Sequence, residues 1–255
     1  IKGWSKSDPP PARVKPAPIT FVLFLSNLAH RHVADNNIAP SPAERATADM
    51  ICVAFYFLLR PSEYAGTDPE HASFTLDDVH LYIGVRKLDI ASAPDRDLQL
   101  ATSVRLHFTT QKNQRRGDII AHGRAPHPYC CPVKATARLL LTHRNFFRNA
   151  HRTFDGTIRL ASYYHRNQHL LLRAADVTAQ LKFAARQCYR TTRIDASAIT
   201  AHSLQAGGAM ALLSGRVDSN TIKLLGRWHS DSMMRYLHQE AQPIMKNLAR
   251  TMFNE

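Results

Sequence analysis

Three segments carry side chains suited to gripping an anion. In the first, Phe57-Leu58-Leu59-Arg60-Pro61-Ser62-Glu63 puts an arginine at the end of a very apolar stretch. A guanidinium cannot stay buried unpaired, and Glu63, three residues on, is placed to orient it. Such a pair either closes a helix end or presents the arginine to a ligand. In the second, Lys112 is followed by Arg115 and Arg116 just ahead of Gly117. At a hairpin tip these cations either reach into a nucleic-acid groove or stand solvated. The third begins at Thr200-Ala201-His202-Ser203-Leu204-Gln205 and continues through Gly215-Arg216-Val217-Asp218 to Leu225-Gly226-Arg227-Trp228-His229, then Arg235-Tyr236. Asp218 reads as a helix N-cap and Gly215 as a helix stop.

The charge points to a polyanion. The 255 residues hold 33 Lys+Arg and 20 Asp+Glu, a formal charge of +13, with 14 histidines besides. Between Ala101 and Thr200 there are 17 Lys/Arg and 4 Asp/Glu, so the whole excess lies in the middle hundred residues and the rest balances at 16 of each. A field of that kind attracts nucleic acid before other partners. At 44% apolar and 21% charged residues, wholesale disorder is excluded. The apolar run Ile51 to Leu59 has nine residues, ten with Met50; a membrane-crossing helix needs about 20, so no membrane is expected. Four cysteines without a CxxC pair indicate a reducing compartment rather than a disulfide scaffold.

The elements that must position these groups follow from periodicity. Residues 1–18, with five prolines between Ser7 and Pro18, read as an extended linker from an upstream domain, since the chain starts at Ile1. Residues 19–255 read as the functional domain. Ile19 to Val33 has helical spacing. Ser41-Pro42-Ala43-Glu44 is a capping box that opens a helix expected to run to about Leu59, with Pro61 ending it. Alternation in 79–85, 104–108 and 118–122 predicts a small antiparallel sheet with one wet face. Helices are expected at Pro132–Phe146, Asp176–Cys188, His202–Ser214, Asp218–Leu225, Ser230–Leu237 and, amphipathic, at Pro243–Phe253. The fold class is mainly α with a small antiparallel β-sheet (α+β).

The order Arg60, Lys112, His202, Tyr236 resembles the catalytic domain of tyrosine recombinases, the integrase family. Arg60-x-x-Glu63 matches the first box and Lys112 the hairpin lysine; His202 opens the third box, Leu225-Gly226 the fourth, and Tyr236 stands ten residues after Gly226. The wording Leu59-Arg60-Pro61-Ser62-Glu63, His202-Ser203-Leu204 and Gly226-Arg227-Trp228 is similar to recombinases of eukaryotic mobile elements of the Crypton and DIRS type. The resemblance covers about residues 20 to 245. It implies a tyrosine recombinase catalytic-domain fold, double-stranded DNA as partner, and no cofactor or metal. It implies assembly on DNA through the C-terminal helix and, in a eukaryotic cell, a nuclear location. Tyr236 would be the nucleophile, Arg60 the phosphate clamp, Lys112 the general acid, and His202 a proton-handling group. Arg105, Arg115, Arg116, Arg166, Arg190 and Arg193 are the candidate DNA contacts.

Two positions depart from the family. Gln205 stands where the second arginine is expected, and Arg227 follows Leu225-Gly226, with Trp228 and His229 displaced by one and two, so any of these three could fill the fourth box. A neutral amide can donate to a phosphate oxygen but cannot neutralise it. Three explanations are open for Gln205: decay of a mobile-element copy, a substitution that traps a DNA complex, or compensation by Arg227. The alternative function is a DNA-binding protein that keeps the fold without the chemistry. A metal-dependent nuclease built on His122, His127, Cys130 and Cys131 has poor ligand spacing. Tyr163-Tyr164-His165-Arg166 reads as a DNA-touching cluster or a loop anchored by its aromatics.

Overall fold

A computed structural model describes residues 14–31, 39–65, 73–109 and 117–228. The expected helices at Ser230–Leu237 and Pro243–Phe253 lie outside them, as do Lys112, Arg115, Arg116, His229 and Tyr236.

Three long helices form the centre. Helix α1 (Ile19–His30) and helix α5 (Pro132–Asn149) both pack on α2 (Pro42–Tyr56), of which ten consecutive residues are buried. The capping box at Ser41 and Glu44 is formed: the Ser41 backbone N–H donates to Glu44 and the Glu44 N–H returns to Ser41 Oγ. The one carboxylate inside this bundle, Asp49, accepts from Arg138 Nε at 2.9 Å and Nη2 at 2.6 Å and lies 2.9 Å from His30 Nε2, so it ties α1, α2 and α5 together. A buried acid needs such partners.

The sheet has four strands in the order β2-β1-β3-β4, all antiparallel: β1 (Val79–Ile83), β2 (Arg86–Lys87), β3 (Ser103–Phe108) and β4 (Asp118–Gly123). Val79, Leu81, Val104, Leu106 and Phe108 face the core, while Arg105 and His107 face outward. Strand β2 and the short helix α4 (Asp95–Leu100) go beyond the sequence expectation. So does the hairpin β5 (Ser162–His165)–β6 (Gln168–Leu171), in a segment whose sequence suggests a DNA-touching cluster or a loop. Its turn uses left-handed Arg166 and Asn167, φ 49° and 63°, a conformation that a reader of sequence assigns to glycine.

The remaining helices are α3 (Pro61–Ala65), α6 (Ala174–Gln187), α7 (Tyr189–Thr192), α8 (Ser203–Ser214) and α9 (Ser219–Leu225). Helix α2 stops three residues before the expected Leu59, and Pro61 opens α3 instead of ending α2. The last residues of the proline-rich segment, 14–18, run extended against α8 and the turn before it. Lys15 N–H donates to Ala198 O and Ala17 N–H to Ser203 O, both at 2.9 Å, and Ala17 is fully buried.

Candidate functional site

The site is built where two helices end. Helix α2 finishes in a Schellman motif: Leu59 N–H donates to Ala54 O at 2.9 Å and Leu58 N–H to Phe55 O at 3.4 Å. The left-handed position is Leu58, φ 52°, where glycine is usual. A side chain there costs about 1–2 kcal/mol, offset by burying the leucine completely against Ala209 and Ile222. Helix α9 ends in the same way. Trp228 N–H donates to Lys223 O at 3.1 Å and Arg227 N–H to Leu224 O at 3.0 Å, with Arg227 left-handed at φ 55°. The Trp228 ring lies over Gly226, where a Cβ would meet it at 2.6 Å.

Arginines join the two ends. Arg227 Nη1 donates to Phe57 O at 3.2 Å and Leu225 O at 2.8 Å; its Nη2 donates to Leu58 O at 3.2 Å and Glu63 Oε2 at 2.8 Å. Its guanidinium lies 4.0 Å over the Phe108 ring. The side chain is 3% exposed, and only Nε lacks a partner among the described residues. Burial pushes its pKa below the ordinary arginine value, and Glu63 opposes that shift. In the other direction Arg60 Nη2 donates to Arg227 O at 3.4 Å. A cation at a helix C-terminus is favourable because the last carbonyls carry partial negative charge. Here one guanidinium serves both helix ends.

Glu63 is the node of this cluster. Its Oε2 accepts from the Arg60 backbone N–H at 2.7 Å as well as from Arg227, and its Oε1 lies 3.6 Å from Arg60 Nη1. Arg60 keeps a quarter of its side chain exposed, while Arg227 does not. The two arginines therefore differ in kind: among the described residues Arg60 has donors to spare, and Arg227 is occupied by the fold.

Helix α8 brings the third segment to the same place. It packs on α2 backbone to backbone: a Cβ on Gly208 would sit 2.2 Å from Phe55 O, and one on Gly207 would sit 1.9 Å from Ala17 O. Only glycine permits either approach. At its start His202 is the exposed N-cap, and one turn on Gln205 is 7% exposed with Nε2 lacking a partner among the described residues. Buried amide donors without a partner are uncommon. Asp218 caps α9 through the N–H groups of Asn220 and Thr221, at 3.0 and 2.9 Å. Strand β3 ends with Phe108 under Arg227, and Phe108 pairs with Asp118 at the start of β4, so this end of the sheet adjoins the arginine pair. Arg227 and Trp228 also line a cleft of about 610 Å³ between β4 and α9.

The candidate DNA contacts are spread more widely. Arg105 lies on the outer sheet face with its guanidinium 4.3 Å over the Tyr82 ring. Arg166 turns the β5–β6 hairpin. Arg190 and the left-handed Arg193 are exposed on and after α7, ahead of α8. The residues weighed as metal ligands have other partners. His127 Nδ1 accepts from Cys130 N–H at 2.9 Å, Cys131 Sγ accepts from Ala125 N–H at 3.3 Å, and His122 packs edge-on at 4.6 Å from Phe57. Burial lowers the His122 pKa. Sequence reasoning missed Phe108 and the Phe57 and Leu58 carbonyls, because no residue type announces a helix-end carbonyl as a ligand.

No family model and no curated protein matches this chain. Among solved structures it is similar to the integrase of transposon Tn1549 in complex with transposon right end DNA. The TM-score is 0.46 and the identity 14%, over 96% of this chain and 69% of that one.

Proposed function

We propose that this chain is the catalytic domain of a tyrosine recombinase of the mobile-element kind, which binds double-stranded DNA and is impaired in cleavage by Gln205. The observation that carries this reading is the meeting of Arg60, Glu63, Arg227, Phe108 and α8 at the end of α2, from parts of the chain up to 167 residues apart. A partly exposed Arg60 guanidinium, and on α8 a buried Gln205 amide without a partner among the described residues, suit a phosphate.

In the reaction the Tyr236 phenolate oxygen attacks phosphorus, the P–O5′ bond breaks, and a 3′-phosphotyrosine forms. A phenol has a pKa near 10, so its proton must be taken up on the His202 side, while Lys112 supplies one to the leaving 5′-oxygen. Arg60 holds the nonbridging oxygens because a guanidinium stays charged and binds phosphate in a bidentate way. The covalent ester conserves the bond, so rejoining reverses the same step. Deletion after Gln242 should weaken assembly on DNA, if the 243–253 segment reaches a neighbouring copy. In a eukaryotic cell the reading places the protein in the nucleus.

Gln205 favours a second reading, a DNA-binding protein without cleavage. A nicked duplex that traps covalent product separates the two. Gln205→Arg protein should form a Tyr236-linked adduct that Tyr236→Phe abolishes without loss of duplex binding. Failure of Gln205→Arg to form any adduct overturns the enzyme reading. Binding that does not weaken with rising salt overturns both.

A further inference from the structure

A second cluster of cations lines a separate cleft. The loop before α4 and the C-terminal end of α5 enclose a cleft of about 420 Å³. Arg144, Arg148 and Arg152, spaced four residues apart, line it together with Phe147, Phe154 and Asp95. None of the residues that line this cleft belongs to the Arg60–Glu63–Arg227 cluster.

The three arginines do different work. Arg144 is 7% exposed; it donates to the carbonyls of Ile90, at 3.2 Å, and Ala93, and pairs with Asp95. It fixes the loop, and its buried Nε has no partner among the described residues. Burial lowers its pKa, with Arg148 adding to the shift. Arg148, 59% exposed, shares Asp95 at 3.3 Å and reaches Asn145 at 2.6 Å. Arg152 is exposed, with no ion pair among the described residues. Asp95 and the nearby Asp89 set two carboxylates against three guanidinium groups, and the one positive charge in excess falls to the exposed Arg148 and Arg152. The Phe147 and Phe154 rings meet at 5.7 Å and 64°, which gives the same cleft an aromatic wall.

We infer that this cleft binds a phosphomonoester joined to a planar base, either a free nucleotide or the 5′-phosphorylated end of a strand. Arg148 and Arg152 supply forked donors to the phosphate, and Phe154 supplies a face for the base. Aromatic rings beside the arginines favour this over an acidic peptide, whose side chains have no use for them. The inference is independent of the recombinase reading, because it invokes neither Tyr236 nor Arg60.

Calorimetric titration of the full chain at low salt with adenosine monophosphate, and separately with a 5′-phosphorylated dinucleotide, tests it. Binding of either probe should fall at least about tenfold in Arg148→Gln/Arg152→Gln protein, as expected for lost charged hydrogen bonds. Binding should survive Arg60→Gln. Both arginines substituted are exposed, so the variant should melt like the parent. Tighter binding of the dinucleotide identifies a strand end; equal binding identifies a free nucleotide. The inference is overturned if neither probe binds, if the double variant binds as well as the parent, if Arg60→Gln abolishes binding, or if a glutamate hexapeptide binds more tightly than both.

Discussion

Replacing Arg227 with methionine should destabilise the fold before it affects any chemistry. The side chain is 3% exposed and gives all four Nη hydrogens to protein acceptors: three carbonyls and Glu63. Methionine fills part of the volume beneath Phe108 but leaves Glu63, itself 11% exposed, without its shortest ion-pair partner. Breaking a buried pair by removing one member costs about 3–5 kcal/mol. Glu63→Gln should cost less, since the amide oxygen can still accept one of the bonds. A double variant should then lose about 1–3 kcal/mol less than the sum of the two, because the second change falls on a contact already broken. Urea unfolding followed by both fluorescence and circular dichroism gives all three values. A loss under about 1 kcal/mol for Arg227→Met, or simple additivity with Glu63→Gln, refutes the view that this arginine fastens the two helix ends. Intact stability with weakened DNA binding would instead make it a phosphate ligand.

Two further outcomes follow from the same geometry. Gly208→Ala gains about 1 kcal/mol of helix propensity, yet its Cβ would lie 2.2 Å from the Phe55 carbonyl oxygen. Backbone cannot yield as a side chain does, so the variant should lose about 1–3 kcal/mol net and melt several degrees lower by calorimetry. His143 is fully buried between Tyr164 and the Leu160 carbonyl, and burial lowers its pKa to about 4. The unfolded chain takes up this proton near pH 6.5 and the folded chain only near 4. Stability from this group is therefore whole above about pH 6.5 and falls by roughly 3 kcal/mol as the pH drops to 4. His143→Gln should flatten the pH dependence of the urea midpoint over that interval; an unchanged slope refutes the assignment.

Features that rest on local chemistry were readable in the sequence. The Ser41–Glu44 box, the Asp218 cap and the alternation in β1, β3 and β4 all appear at or within a residue or two of their expected places, because each is decided by neighbours along the chain. The end of α2 was not readable. Apolar periodicity continues through Leu58 and Leu59, and what stops the helix is a leucine in a left-handed conformation held by carbonyl bonds from an arginine 169 residues away. The β5–β6 hairpin was hidden for a similar reason, since Arg166-Asn167 has no glycine to mark the turn. A buried arginine is spelled like a surface one. The only trace of the role of Arg227 is its position directly after Gly226, where a helix end would place it in the left-handed region.

The occupied state of Arg227 bears on what Gln205 means. Arg60, Arg227 and Glu63 together hold one net positive charge, and the carboxylate is divided between the two guanidinium groups. On the proposed function, an arriving phosphate can feel the charge of Arg227 but cannot take its Nη hydrogens without opening both helix ends. Compensation for Gln205 by Arg227 is thus electrostatic at most, without the bidentate bonds that make an arginine effective on a phosphate. The Gln205 Nε2, without a partner among the described residues, offers only neutral N–H donors. On the proposed function, Gln205→Arg adds a charge and donors that Arg227 does not duplicate, so adduct formation should rise by about 10²–10³, the usual worth of one preorganised donor. A rise of the same size in Arg227→Lys protein that keeps Gln205 would reverse this conclusion, since it would mean that freeing the neighbouring cation suffices.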